Sequence, residues 1–178
     1  MMIRSATVAD VPALASIYGH HVLHGLGTFE EVPPTVIDMA ARLAAVQAKT
    51  LPYLVAEKDG VVLGFAYAAP FRSRSAYRFT AEDSVYIAPE AIGQGVGKAL
   101  LSAVIAACEA LGVRQLTAVI GDTGNAASIG LHTALGFERT GSSRSVGYKH
   151  GRWVDIVFMQ KALNGGDATP PAEPGLKL

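Results

Sequence analysis

Apolar positions recur along this chain with two periods, and the points where one gives way to the other mark its elements. "IRSA" (residues 3–6) reads as a short strand. In "TVADVPALASIYGHHVLHG", Leu14, Ile17, Tyr18 and His21 or Val22 fall three or four residues apart, the spacing of one buried helical face. Thr7 or Asp10 can cap that helix, while Pro12, which cannot donate inside a helix, leaves its first turn undecided. "GTFEEVPP" follows neither period and reads as an irregular connection; "TVIDMAARLAAVQA" is a second helix with Thr35 and Asp38 in capping-box spacing. "YLVAEKDGVVLGFAYAAPF" predicts a hairpin turned at Asp59–Gly60, and "RFTAEDSVYIAP" a further strand. A helix over residues 96–111, a strand "QLTAVIG" and a helix "NAASIGLHTALG" ended by Gly136 come next, and "FERTGSS" with "RWVDIVFMQKAL" closes the sheet.

Strands and helices alternate in the second half, which predicts an α/β chain with a mixed sheet and helices on both faces. One domain over residues 1–163 is expected. The segment 164–178, "NGGDATPPAEPGLKL", is polar and rich in Pro and Gly and is expected to be disordered.

Charge narrows the function classes. Only 17% of the 178 residues are charged, with 15 basic against 15 acidic side chains, so neither a nucleic-acid binder nor a polybasic membrane anchor is expected. Cys108 is the single cysteine, which removes a disulfide framework and suggests a reducing compartment. "MMIRSATVAD" lacks the apolar stretch of a signal peptide and no segment has transmembrane length, so a soluble cytoplasmic protein is expected.

The densest chemical signal is "VYIAPEAIGQGVGKALL", where Gly93, Gly95 and Gly97 alternate between a strand and a long helix. A helix N-terminus leaves unpaired N–H groups and a partial positive charge, and glycines before it let the backbone wrap a phosphate. A P-loop would need glycine at position 92 and Ser or Thr after the lysine, but Ile92 and Ala99 stand there. A dinucleotide fingerprint would need a third glycine at 98 or 100, where Lys98 and Leu100 stand.

The segment instead resembles the acetyl-CoA motif of the GNAT superfamily of N-acetyltransferases, Gln/Arg-x-x-Gly-x-Gly/Ala, with Gly95 and Gly97 matching and Ile92 in place of the leading Gln or Arg. "NAASIGLHTALGFERTG" resembles the next motif of that family, an Asn before a helix ending in Leu-Gly-Phe. "TFEEVPPT", "AYRFTAEDSVYIAP", "LHTALGF" and "GYKHGRWVDIVFMQ" are together similar to the phosphinothricin acetyltransferase group, along almost the whole domain. The resemblance implies the GNAT fold, a mixed, mostly antiparallel, splayed sheet flanked by helices with acetyl-CoA in its cleft. It also implies acetylation of the α-amino group of a small amino acid or analogue of the phosphinothricin, methionine sulfoximine or methionine sulfone type.

Residue by residue, Glu82 matches the glutamate taken as base in that group; alternatively it is a surface carboxylate pairing with Arg78. His132 occupies the position where many members carry a tyrosine that reprotonates the CoA thiolate; alternatively it is a structural histidine. Val85, Tyr86 and Ile87 are expected to offer backbone groups to the pantetheine arm, and Gly93, Gln94, Gly95, Val96, Gly97 and Lys98 to hold the pyrophosphate. Asn125 matches the family's cofactor-contacting asparagine and can also cap its helix. Arg72 and Arg74, with Ser75, Ala76 and Tyr77, lie where the group contacts its amino acid, and bidentate arginine suits its carboxylate; Phe29 is a candidate apolar wall. His20 and His24 are one turn apart, but without the glutamate of His-Glu-x-x-His or a third ligand, and no metal is expected. Members of the group commonly form homodimers, and a mean hydropathy of +0.30 is high for so small and lightly charged a chain, so a homodimer is expected. A GNAT enzyme acting on a polyamine, an aminoglycoside or a protein N-terminus, and a non-catalytic acyl-CoA sensor, are the competing readings. The presence of both Glu82 and His132 favours an enzyme over the sensor.

Overall fold

The computed structural model describes residues 1–178. The strands are β1 (Met2–Ser5), β2 (Tyr53–Lys58), β3 (Val61–Pro70), β4 (Thr80–Ile87), β5 (Gln115–Gly121), β6 (Glu138–Lys149) and β7 (Arg152–Ala162). The helices are α1 (Val11–His24), α2 (Val36–Ala48), α3 (Val96–Ala110) and α4 (Ala126–Ala134). They build one seven-stranded sheet in the order β1-β2-β3-β4-β5-β7-β6, antiparallel throughout except between β4 and β5. The expected mixed, mostly antiparallel sheet is present.

Local chemistry explains most boundaries. At α2 the expected capping box forms: the Asp38 N–H donates to Thr35 Oγ1 at 3.1 Å and the Thr35 N–H to Asp38 Oδ2 at 2.9 Å. The β2–β3 turn places Asp59 and Gly60 at φ +53° and +80°, the left-handed pair a two-residue hairpin demands. Pro12 falls in the first turn of α1, where its missing N–H breaks no helical bond, behind a single 3₁₀ turn over Val8–Asp10.

β6 departs from expectation. It runs to Lys149, well past "FERTGSS", and forms a long hairpin with β7. Its register shifts between Ser143 and Gly147, with Ser145 at φ +54°. That bulge breaks the apolar–polar alternation by which a strand is read from sequence. Residues 164–178, expected to be disordered, carry no helix or strand and run along the body; the Leu176 N–H donates to Arg78 O at 2.7 Å and Arg114 bonds Gly166 O at 2.8 Å.

Successive strand residues point to opposite faces, and both faces are covered. Phe65 of β3 and Tyr86 of β4 pack towards Tyr18 and His21 of α1, with Tyr53 and Tyr67 stacked beside them. On the other face α3 buries Leu100, Leu101, Val104 and Cys108, and α4 lies next to it with Leu131 against Gly97.

The edge strand β1 is held by charge. Arg4 donates to both oxygens of buried Asp10, at 2.8 and 2.7 Å, and to Glu57 at 2.8 Å. Hydrogen bonding from Arg4, outweighing burial, lowers the Asp10 pKa from 3.8 to about 2. Since the folded value is depressed, this contribution is complete above pH 3.8 and is lost as pH falls towards 2. Asp10→Asn should therefore lower Tm by roughly 2–6 °C at pH 7 and flatten the fall in Tm below pH 4, as followed by thermal melts at stepped pH.

Candidate active site

β4 and β5 pair only from Thr80↔Gln115 to Asp83↔Ala118 and then part. β4 runs on to Ile87 with β3 on one side and nothing on the other. The Ala88 N–H donates to Leu63 O, so the alternation of an antiparallel ladder turns the peptide groups of Asp83, Val85 and Ile87 away from β3, into the gap. Tyr86 differs from expectation here. Its peptide faces Phe65 of β3, and its ring instead packs edge-on against Tyr18 at 4.8 Å. The Ile87 carbonyl already accepts from His21 Nε2 at 2.8 Å. An extended ligand in the gap thus meets Val85 N–H and C=O and Ile87 N–H.

Glu82 and Asp83 sit at the apex of the split and, being consecutive, emerge on opposite faces. Glu82 lies on the α1 face, half-buried, with Arg72 Nη1 at 4.0 Å. Burial raises its pKa above 4.5, opposed by Arg72 and assisted by Asp83. Its cationic neighbour is therefore Arg72 and not Arg78, whose guanidinium bonds Ser75 O and lies over the Phe79 ring. Arg72 stacks on Phe71 at 4.2 Å, and Tyr77 meets the same ring edge-on. Ser75, Ala76 and Tyr77 form one exposed 3₁₀ turn, with exposed Arg74 immediately before it. On this face an aromatic cavity of about 250 Å³ opens between α2 and the sheet, lined by Tyr18, Tyr53, Phe65 and Tyr67, with Arg42.

Phe29 lies across the ends of β5 and β6. A Cβ at Gly147 would overlap its ring, and one at Gly121 would come within 3.3 Å of it. Two features the sequence did not disclose hold this connection. Lys149, 2% exposed, donates to Thr28 O at 2.7 Å, and the Tyr18 hydroxyl bonds both Thr28 and Glu30 at 2.8 Å. Burial lowers the Lys149 pKa.

On the α3 face His132 is buried. Its Nδ1–H donates to Ser128 O at 2.8 Å, and its Nε2 lies 3.0 Å from Asp83 Oδ1. Asp83 Oδ2 is buried without a partner. The glycine turn follows β4. Gly93 and Gly95 adopt φ +79° and +80°, and open space lies where a Cβ would project from each. Gly97 is needed for a different reason, since a Cβ there would stand 3.3 Å from Leu131 of α4. Gly95 is the N-cap of α3 and offers no side chain, so the N–H groups of Val96, Gly97 and Lys98 are left for a ligand. Lys98 is exposed at this end, while Gln94 turns back to Glu90 O at 2.7 Å. Asn125 caps α4 through the Ser128 N–H at 3.1 Å and reaches Gly121 O at 3.4 Å. An uncapped helix start beside a free strand edge fits a diphosphate joined to an extended amide arm.

No group of three or more His, Cys, Asp or Glu side chains is placed to hold a metal ion. No helix is long and apolar enough to cross a membrane.

The chain is similar to known proteins along most of its length. The phosphinothricin N-acetyltransferase of Alcaligenes faecalis is 60% identical over 162 residues, 91% of this chain and 82% of that one. The L-methionine sulfoximine/L-methionine sulfone acetyltransferase of Salmonella typhimurium is 41% identical over 92% of this chain and 95% of its own. A crystal structure of a GNAT superfamily phosphinothricin acetyltransferase from Sinorhizobium meliloti, in complex with AcCoA, superposes with a TM-score of 0.94 at 48% identity, covering 98% of this chain and 94% of that one. The acetyltransferase (GNAT) domain matches residues 3–158, and the chain belongs to that family of N-acetyltransferases.

Proposed function

We propose that this chain transfers the acetyl group of acetyl-CoA to the α-amino group of a small amino acid of the phosphinothricin, methionine sulfoximine or methionine sulfone type. One observation carries the reading: Glu82 and the Asp83–His132 pair stand on opposite faces at the point where β4 and β5 part. Acceptor and departing thiol thus have separate sides of the sheet, each with its own proton-handling group. The relatives' named substrates supply the acceptor class.

Bound acetyl-CoA supplies the acyl thioester. The turn and first helical residues, Gly93 to Lys98, hold its pyrophosphate, Val85 and Ile87 its amide arm, and Asn125 borders that arm at the start of α4. Glu82 takes the ammonium proton of the acceptor, and its raised pKa brings it closer to the amine it must deprotonate. His132 is the proton source on the thiol side. Arg72 and Arg74, with Ser75, Ala76 and Tyr77, form the loop that receives the carboxylate, and Phe29 the apolar wall. A cytoplasmic homodimer completes the proposal. Exposed Tyr148 and Trp153, packed edge to face at the β6–β7 turn, are apolar surface that a second copy would cover, and light scattering at about 18.5 kDa would reject that assembly.

Thiol release from acetyl-CoA, measured with an acceptor panel, tests the activity. Turnover with methionine sulfone or phosphinothricin supports the proposal. Turnover only with polycationic amines, or binding without turnover on any acceptor, overturns it. The pH dependence has a defined sign. Glu82 acts as its anion, so kcat/KM rises as pH climbs through its raised pKa. Arg72→Gln removes the charge that holds that pKa down, so the acidic limb should move to higher pH. Arg72 is half-exposed and 4.0 Å away, which limits the displacement to less than about one pH unit.

A further inference from the structure

We propose that Asp83 is a positioning residue for His132, fixing the imidazole in one tautomer and holding a single proton between Nε2 and Oδ1 on the thiol side of the split. The proposal rests on the reading of the chain as an acetyl-CoA-dependent transferase.

The proton count follows from the partners. Ser128 O, 2.8 Å from Nδ1, is a carbonyl and can only accept, so Nδ1 carries a hydrogen. That leaves the 3.0 Å contact between Nε2 and Oδ1. The two side chains are only 4% and 1% exposed, and facing lone pairs in so dry a site would repel, so one proton lies between them. The Phe137 ring meets the imidazole edge-on at 4.9 Å and holds its plane. Asp83 Oδ2 has no partner, so the carboxylate directs its side-chain hydrogen bonding at the ring alone.

The charge environment agrees. For His132 burial alone would lower the pKa, but the Asp83 carboxylate and the Ser128 carbonyl outweigh it and the net direction is upward. For Asp83 burial raises the pKa against the pull of His132. Both shifts mean that the pair keeps its proton to a higher pH than a free histidine does. The other titratable groups facing the pair are Cys108 of α3, whose thiol burial pushes up to about 12 and keeps neutral, and Glu82 on the opposite face. In the transfer the amine nitrogen bonds the carbonyl carbon and the C–S bond breaks with its electron pair on sulfur. The ammonium proton goes to Glu82 and the shared proton to sulfur. Glu82 then releases that proton to solvent, and the second proton of the amine nitrogen, lost as the amide forms, restores the pair, so the turnover releases one proton in net.

NMR titration of the His132 ring nitrogens in ¹⁵N-labelled, ligand-free protein tests the hold directly. The expected result is an Nδ1-bound hydrogen throughout and a midpoint above 6.5, the ordinary histidine value. In Asp83→Asn burial remains without the carboxylate, so the midpoint should fall below 6.5. Turnover at pH 7.5 should drop roughly 10–100-fold with KM for acetyl-CoA within about twofold, and the basic limb of kcat should move to lower pH. A wild-type midpoint at or below 6.5, or an Asp83→Asn variant with an unaltered basic limb, overturns the proposal. If Asp83→Asn fails to fold, the wild-type titration still decides. A fully active His132→Gln overturns both this proposal and the proton-source reading, whereas an inactive amino-acid panel with the titration intact overturns the substrate reading alone.

Discussion

Glu82→Gln should lower kcat by roughly 10²–10⁴ with acetyl-CoA affinity almost unchanged. The substitution keeps the shape of a half-buried side chain and its distance from Arg72 but removes its basicity. Because Glu82 lies on the α1 face and the groups proposed to hold the cofactor are strand edge and helix start, the loss should fall on the chemical step. The defect should shrink at high pH, where the acceptor arrives already as free amine; a free α-amino group titrates near pH 8. His132→Ala should slow turnover without that rescue, since its proton is proposed to pass to the leaving thiol. The pH profiles of the two variants therefore diverge, and that divergence separates base from acid. Normal turnover by Glu82→Gln at pH 7 would show that another group or water takes the proton.

How far the site is legible in sequence depends on how far apart its members lie. The helices and the β2–β3 hairpin announce themselves because cap, period and turn residue agree within a dozen positions, as at Thr35–Asp38 and Asp59–Gly60. The second half of β6 does not, because the bulge at Ser145 breaks the alternation. Glu82 and His132 are legible through motif resemblance. Asp83, next to Glu82, matches no motif residue, although alternation on β4 places it on the other face. Its meaning lies in a contact 49 residues away on α4. Lys149 is less legible still. Nothing in "GYKHGRW" marks it, and only the return of the chain at Thr28, 121 residues earlier, buries it. The alternate glycines were legible as a group but not singly. Gly93 and Gly95 answer to backbone conformation, Gly97 to the approach of α4.

Gly95→Asp should weaken acetyl-CoA binding by on the order of 10²–10³, enough to remove the isothermal titration signal at micromolar protein. Two effects are combined in that substitution and must be told apart. Gly95 adopts φ +80° and ψ 0°, where any residue with a Cβ is strained by roughly 1–2 kcal/mol. The larger effect is charge. Nothing lies within 4 Å of a Cβ at this position, so the new carboxylate projects into the open space before α3 where the pyrophosphate is proposed to sit. Opposed charges of like sign about 4 Å apart repel by about 4 kcal/mol at an effective dielectric near 20. The fold itself should survive, because an acidic group at a helix N-terminus is favourable in the absence of a ligand, so Tm should move by only a few degrees. Gly95→Asn isolates the charge, since asparagine has nearly the same shape and tolerates the left-handed region. It should bind acetyl-CoA within about tenfold of the parent, leaving most of the aspartate defect to electrostatics. Equal losses in both variants would assign the defect to backbone strain, and undiminished binding by Gly95→Asp would remove the phosphate from the start of α3 altogether.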